Sequence, residues 1–192
     1  MAGHHGNRYG RSEKARVAVL EAADDLLVDG GYAALTMEAI AARAGVAKQT
    51  VYRWWPTKTD ILFDAFVADV AEDLPPAPDT GDAERDLRRH LARLAGFLVR
   101  THAGAVFRAL AGVAQHDPAV ADRLRRDFVD PQRERDRAPV RRALDAGLLP
   151  RGTDVEVAVD QLTAPIYHRV LVTGQRVPRS YTDRLVDAVL NR

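Results

Sequence analysis

The chain has 192 residues, of which 46% are hydrophobic and 29% charged, with a formal net charge of +1. These values are ordinary for folded protein and exclude a generic polycation, so any nucleic-acid binding must come from a local basic patch. The chain contains no cysteine, which excludes disulfides, thiolate metal sites and cysteine nucleophiles. It shows no apolar signal-peptide core and no apolar run of about 18 residues, so we expect a cytoplasmic protein without a membrane span.

The N-terminal third predicts short helices with clear ends. Residues 1–11 are polar, and we expect a flexible arm there. Apolar residues at helical spacing predict a first helix from Ser12 to Gly30-Gly31, since glycine readily ends a helix. Thr36 is a suitable N-cap for a second helix, and Gly45 ends it.

A third helix is predicted over about residues 47–55, because Pro56 cannot continue it. A fourth begins near Lys58. The segment 74–82 contains three prolines and a glycine, which cannot be helix interior or central strand. We therefore place a domain boundary at the end of the fourth helix.

The remainder of the chain also has helical patterns, and no segment shows the alternation of a strand. The pattern is interrupted at Pro131 and Pro139, where we expect a break. The prediction is an all-α fold, with further helices over about 83–101, 103–115, 117–130, 139–147, 154–172 and 182–190.

The second and third helices have the small and apolar residues that a helix-turn-helix requires. Ala41 is small where the two helices pack closest, and Gly45 is suited to the tight turn. Val46 and Val51 are predicted to point into a small core. Trp55, one turn beyond Val51, is expected in the core as well.

The other face of the third helix is polar and basic, and no acidic residue occurs between Glu38 and Asp60. Arginine and lysine can pair with guanine edges, glutamine with adenine, and a threonine methyl with that of thymine. A helix N-terminus and nearby hydroxyls or lysines can hold phosphates. The predicted DNA-binding residues are Thr36, Lys48, Gln49, Thr50, Tyr52, Arg53 and Lys58.

Two aromatic residues have alternative interpretations. Tyr52 is either a DNA-backbone contact or a plain surface aromatic. Trp54 has no assigned role, because its spacing also points it partly inward. A basic helix is often only a solvated surface, but the apolar series from Ala41 to Val51 argues against that here.

Residues 36–63, TMEAIAARAGVAKQTVYRWWPTKTDILF, resemble the DNA-binding segment of tetracycline-repressor-like (TetR-like) transcriptional regulators. The resemblance extends back through residues 14–35. It implies that the third helix is the recognition helix and that the fourth links it to a ligand-binding core. One residue departs from the pattern: Ala47 is at the N-cap of the third helix, where such proteins often have serine, and its weaker cap costs about 1 kcal/mol.

The resemblance also implies a C-terminal helical domain that binds a small molecule and forms a homodimer. Residues 162–174 resemble a C-terminal helix of one TetR-like subgroup. Because one helix-turn-helix contacts few base pairs, a twofold pair is expected on a palindromic operator. The expected domains are an arm (1–11), a helix-turn-helix domain (12–58), a connecting helix (59–73), a linker (74–82) and a ligand-binding and dimerisation domain (83–192).

The dimer interface and the ligand pocket are predicted from apolar and aromatic residues in this region. Ordinary packing within the chain is the alternative interpretation for the dimer candidates and for each phenylalanine of the pocket set. The dimer candidates are Ile166, Val170, Leu185, Val186 and Val189. The pocket candidates are Phe97, Thr101, Phe107, Leu110, Phe128, Tyr167 and His168.

The sequence predicts a ligand-responsive regulator, most simply a repressor that binds double-stranded operator DNA and is released by a small molecule. Neither a metal nor a cofactor is expected, because His102 and His116 lie fourteen residues apart without a metal-site spacing. The arginines between Arg123 and Arg142 alternate with acids and predict a solvated face. One alternative is a ligand-independent DNA-binding protein with a vestigial pocket. Another, a helical enzyme, lacks any nucleophile-base pair or phosphate loop.

Overall fold

The computed structural model describes residues 8–190, with side chains from Glu13 onward. All regular elements in this range are helices, as predicted. None of them is long and apolar enough to cross a membrane. The helices are α1 (Arg8–Ala34), α2 (Met37–Ala44), α3 (Lys48–Trp54), α4 (Lys58–Asp73), α5 (Ala83–Arg100), α6 (His102–Ala114), α7 (Pro118–Leu124), α8 (Asp130–Asp145), α9 (Val155–Tyr167) and α10 (Arg179–Val189).

The first helix differs from the prediction at its start. Residues 1–7 of the predicted flexible arm lie outside the described residues, but residues 8–11 belong to α1. The predicted stop at the glycine pair is confirmed. Gly31 has φ 70° and ψ 179°, which breaks the helix before its last turn.

The predicted break at Pro131 and Pro139 is wrong, since both prolines lie within α8. A π-helical turn (Arg125–Val129) joins α7 to α8, and in it the Asp130 N–H donates to the Arg125 carbonyl. This wider turn shifts the carbonyls just where Pro131 lacks an N–H. Pro139 is buried, and core packing around it offsets the one hydrogen bond that it removes.

The last two helices also refine the prediction. A second π-helical turn (His168–Thr173) extends α9, and Gly174 ends it in the left-handed conformation. Helix α10 begins at Arg179, one turn before Thr182. The buried Thr182 hydroxyl donates to the Arg179 carbonyl (2.8 Å), so this threonine lies within the helix instead of capping it.

One continuous apolar core joins the N-terminal helices α1–α3 to the C-terminal helices α5–α10. Helix α6 packs against both α1 and α4, while α5 packs against α6, α8 and α10. The segment between α4 and α5 is non-helical, as predicted, and it is held in place by side chains. Leu74 is buried, Arg142 donates to the Pro78 carbonyl (2.7 Å), and Asp86 accepts two hydrogen bonds from Thr80.

Candidate nucleic-acid interface

The turn between α2 and α3 sets the angle of the two helices. Gly45 adopts φ 66° and ψ 29°, which a residue without Cβ tolerates best. The Val46 N–H donates to the Ala41 carbonyl at 3.1 Å and closes the end of α2. At the other end of α2, the Thr36 hydroxyl accepts a hydrogen bond from the Ala39 N–H at 3.0 Å. Both ends of this short helix are therefore capped as predicted.

The inner face of α3 is anchored in the core. Val51 is fully buried, Val46 is half-buried, and Ala41 of the facing helix is buried. Trp55 is also buried, and its indole N–H donates to Asp64 of α4 at 2.9 Å. These contacts fix the rotation of α3 about its axis, so its opposite face points to solvent.

That opposite face contains the predicted groove residues. Lys48, Gln49, Tyr52 and Arg53 are exposed, and Thr50 is half-buried. The Lys48 ammonium lies 5.5 Å from the Tyr52 ring centroid, and the Arg53 guanidinium lies 5.5 Å from the Trp54 ring. The helix thus presents two cations, an amide, a hydroxyl and a phenol on one surface.

Lys48 also forms an ion pair with Glu38 of α2. Their hydrogen bond raises the pKa of Lys48 and lowers the pKa of Glu38. A phosphate or a guanine edge must therefore compete with Glu38 for this lysine. Arg53 has no such acidic partner among the described residues, which makes it the more available cation of the two.

Trp54 is neither fully buried in the core nor fully exposed on the surface. It is half-buried and packs edge-on against Trp55, with ring centroids 5.5 Å apart. The Arg53 guanidinium lies 5.5 Å from the centre of the Trp54 ring, a contact that helps to position the arginine side chain.

The ammonium of Lys58 does not point outward as its predicted phosphate contact requires. It donates to the carbonyls of Tyr32 (3.0 Å) and Leu35 (2.8 Å) and lies 3.9 Å from the Tyr32 ring. Burial lowers the pKa of Lys58. The free carbonyls at the end of α1 attract this cation, which therefore joins the end of α1 to the start of α4.

An ion-pair cluster links α4 to the C-terminal helices, and the sequence did not predict it. Arg123 of α7 contacts Asp60 (3.0 Å) and Asp64 (3.8 Å), and it lies 4.1 Å from the Phe63 ring. Asp60 also forms the capping box of α4 with Thr57. Asp64 is the acceptor for Trp55. One arginine of the C-terminal domain is thus two contacts away from the end of α3.

The predicted pocket residues separate into two groups. Phe97, Phe107 and Phe128 are buried in mutual contact around Phe66, with ring centroids 5.0–6.5 Å apart. Tyr167 adjoins this cluster, and burial raises its pKa. These rings and the fully buried Leu110 pack as an apolar core.

The other two pocket candidates lie elsewhere. Thr101 caps α6, since its hydroxyl accepts from the Gly104 N–H at 3.0 Å, and it borders a surface cleft. His168 is exposed on the outer surface near Tyr181, so its assignment to an internal pocket is wrong. The π-helical turn that begins at His168 changes its direction relative to Tyr167.

The assignment of two residues to the dimer interface also disagrees with the structure. Ile166 and Val186 are completely buried within the single chain, where α9 and α10 pack on the core, and they cannot meet a second chain. Val170, Leu185 and Val189 are half-buried. Helical spacing showed an apolar face on each helix, but it could not show that the same chain covers its centre.

A buried polar group in the C-terminal domain was missed. The Nε2 atom of His90 on α5 lies 2.7 Å from Asp136 Oδ1 on α8. The Gln132 amide donates to the same oxygen at 2.8 Å. Because α5 and α8 are distant in sequence, only the tertiary structure reveals this contact. Residues 8–190, as far as they are described, contain no cluster of His, Asp or Glu suited to a metal ion.

The arrangement as a whole defines a helix-turn-helix DNA-binding protein with a helical C-terminal domain. Two families match the chain: "Bacterial regulatory proteins, tetR family" over residues 19–65 and "Tetracyclin repressor-like, C-terminal domain" over residues 77–189. The chain belongs to the TetR family of transcriptional regulators, and it is not an enzyme.

Individual relatives are similar in sequence to this chain over nearly its whole length. The HTH-type transcriptional regulator YdeS of Bacillus subtilis is 38% identical over 176 residues, covering 92% of this chain and 88% of the relative. A DNA-binding transcriptional repressor TetR of Mycobacteroides abscessus is 32% identical, covering 94% of each. The crystal structure of the TetR family regulator SCO0332 is 34% identical, with a TM-score of 0.69 and coverage of 93% and 97%.

Proposed function

We propose that this regulator is a homodimeric repressor that leaves its operator when a small molecule binds the C-terminal domain. The observation that carries the DNA-binding part is the α3 surface, where Arg53, Gln49 and Lys48 point outward while Val51 and Trp55 fix the helix from behind. Insertion of this face into the major groove brings those side chains to base edges. We also propose that the protein is cytoplasmic, because there it has access to chromosomal DNA.

The outer surface of α9 and α10 supports the dimer. A shallow depression of about 670 Å³ lies there, lined by Gln161, Ala164, Pro165, His168 and Tyr181, among others. Small and aromatic residues on two exposed helices suit packing against the same pair in a second chain. Two chains around a twofold axis present two α3 helices to successive major grooves.

Release of the operator requires that the effector bind the two conformations with unequal affinity. The Arg123 contacts with Asp60 and Asp64 give the C-terminal domain a direct connection to α4 and, through Trp55, to α3. A shift of α7 relative to α4 would change the position of α3. This route is the proposed mechanical basis of induction.

The DNA-binding part is tested with a fluorescent duplex of the DNA upstream of the protein's own gene. Fluorescence anisotropy at about 150 mM salt should show binding that an unrelated duplex of equal length does not compete away. Equal affinity for both duplexes would refute operator recognition.

The dimer is tested separately, by sedimentation of an Ala164→Glu variant. This exposed alanine would place two like charges at the twofold axis, so the variant should be monomeric and should bind the operator weakly. Ala119→Glu, on exposed α7, is the matched control and should remain dimeric. A dimeric Ala164→Glu protein would place the interface elsewhere.

A further inference from the structure

A cleft between α5 and the start of α10 is separate from the exposed face of α3, and two of the predicted pocket residues, Phe97 and Thr101, line it. It consists of two adjoining depressions of about 420 and 320 Å³ that share Ala92, Gly96, Arg100 and Arg179. These volumes fall in the range of small-molecule pockets. The small side chains of Ala92 and Ala95 form an apolar floor, and Val99 and Val177 line one end.

The walls of the cleft are strongly basic. Arg89, Arg93, Arg100 and Arg179 line one of its depressions, together with Asp73 as the single acid. Within residues 8–190 Arg100 has no ion-pair partner, Arg89 is close enough to Asp86 to help lower the pKa of that carboxyl, and Arg179 has only a 3.8 Å contact with Asp183. Four arginines around one concave surface give it a positive potential, which the acids Asp69, Glu72 and Asp73 beside Arg100 offset on one side only. This potential would attract an anion.

Gly96 allows one of these arginines to lie against the cleft wall. A Cβ at this position would be 2.7 Å from Nη2 of Arg100, so the guanidinium occupies the space that a side chain would take. The same glycine borders both depressions. The guanidinium of Arg100 is therefore positioned at the junction of the basic part and the apolar part.

The cleft is unsuited to the operator itself. Helix α4 begins beside α3 and ends at Asp73, which lines the cleft, and its 16 residues span about 24 Å. The basic surface therefore lies at the opposite end of α4 from the recognition helix. Its apolar floor also has no use in contacts with a phosphate backbone.

We propose that this cleft binds an organic carboxylate with an apolar body. Arg100 of α5 and Arg179 of α10, which line both depressions, hold the carboxylate, for which guanidinium groups have a matching two-pronged geometry. The apolar body lies over Ala92, Ala95 and Val99. Inorganic phosphate would satisfy the arginines but would leave the apolar end of the cleft empty, so a carboxylate with a hydrocarbon body should bind more tightly.

A regulatory consequence rests on the proposed function, whereas the binding site does not. Asp73 ends α4 and Thr101 caps α6, and both line the cleft. A bound carboxylate would draw the arginines of α5 and α10 together beside the end of α4. In this proposal the carboxylate is the effector that releases the operator.

The test is isothermal titration of the full chain with octanoate. One site per chain with a Kd of about 1 mM or tighter is expected. Arg100→Gln and Arg179→Gln should each weaken binding about tenfold, because each removes a charge-assisted hydrogen bond. Arg126→Gln removes an exposed arginine outside the cleft and should bind octanoate like the wild type. Circular dichroism checks that each variant is folded.

Two further ligands make the result specific. Both 1-octanol, which lacks the charge, and inorganic phosphate, which lacks the apolar body, should bind at least tenfold more weakly than octanoate. Absence of saturable octanoate binding, equal binding of either comparison ligand, or equal weakening by Arg126→Gln would each overturn the proposal.

The regulatory step is measured as operator affinity with and without octanoate. A loss of operator affinity in the wild type but not in Arg100→Gln supports the carboxylate as effector. Binding of octanoate with unchanged operator affinity would retain the cleft as a binding site but refute its regulatory role. Failure of octanoate to bind a protein that still selects its operator would refute the cleft and leave the repressor intact.

Discussion

The exposed face of α3 and the arginine-rich surface of α7–α8 are both basic in sequence, but Arg53 of α3 differs from Arg133 and Arg137 of α8 in whether an acid pairs with it. On α8, Arg133 pairs with Glu156 (2.9 Å) and Asp160 (2.6 Å), and Arg137 pairs with Glu156 and Glu134. On α3, Arg53 has no acidic partner among the described residues. The presence of nearby acids, more than the number of bases, therefore separates a structural basic surface from one available to DNA.

This difference follows from the sequence around each helix. The arginines of α8 alternate with acids on the same helix, and two of them, Arg133 and Arg137, also contact acids of α9. The stretch between Glu38 and Asp60 contains none. An unpaired cation retains its full attraction for a phosphate, whereas a paired one must first lose its partner.

The largest expected effect comes from Val51→Asp. A carboxylate at this fully buried position has no partner, so the N-terminal domain should lose more than about 3 kcal/mol of stability and all operator binding. Thermal unfolding and fluorescence anisotropy measure both. Gln49→Asp puts the same charge on the exposed face of α3 and should reduce only operator binding. A stable, DNA-binding Val51→Asp protein would show that α3 is rotated differently.

Arg53→Ala and Arg137→Ala test the comparison directly. Arg53→Ala should lose about 1–3 kcal/mol of operator affinity with an unchanged melting temperature, because its exposed guanidinium has no ion pair among the described residues and lies beside the Trp54 ring. Lys48→Ala should lose less, since Glu38 already competes for that lysine. Arg137→Ala should leave operator affinity unchanged. An equal loss of affinity for Arg53→Ala and Arg137→Ala would remove the proposed distinction.

Lys58→Met tests a lysine whose ammonium group is bound by backbone carbonyls of its own chain. Loss of its hydrogen bonds to Tyr32 and Leu35 should cost about 1–3 kcal/mol of stability, measured by denaturant unfolding. Operator affinity at low temperature, where the variant is fully folded, should change little. If affinity falls strongly while stability does not, Lys58 contacts a phosphate, as the sequence first suggested.

The smallest effect is expected from Glu156→Gln, and it depends on pH. The hydrogen bond with Arg137 is the main cause that lowers the pKa of Glu156 from 4.5 to about 2. Stability from this carboxylate is fully present above pH 4.5 and is lost as the pH falls through about 2. The melting temperature of the variant should therefore fall less steeply than that of the wild type over this range. Parallel curves would show that the network contributes nothing.

Local features of the N-terminal domain made most of it predictable. The residues that start or end these helices are Thr36, Gly45 and Pro56. Each affects the backbone only within a few neighbouring residues, so the helix ends could be assigned from the sequence. Val51 and Lys48 fall on opposite faces of a short helix whose rotation its own apolar residues determine. Ala47 makes no side-chain cap, which is the difference from related proteins that the sequence indicated.

The errors occurred where distant residues decide the outcome. Pro139 was expected to interrupt a helix, but burial against other helices outweighs its local cost. The direction of Lys58 depends on carbonyls at the end of α1, 23 and 26 residues away in sequence. Ile166 is covered by its own chain, which no periodicity could distinguish from coverage by a partner.

The contacts of Arg123 imply that the coupling between the two domains acts in both directions. If α7 and α4 are coupled through Asp60 and Asp64, linkage requires that operator binding affect α7 as strongly as α7 affects the operator. Binding of DNA about two helices away should then slow amide hydrogen exchange in α7. The dynamics of the C-terminal domain would thereby depend on whether the operator is bound, even without a small-molecule ligand.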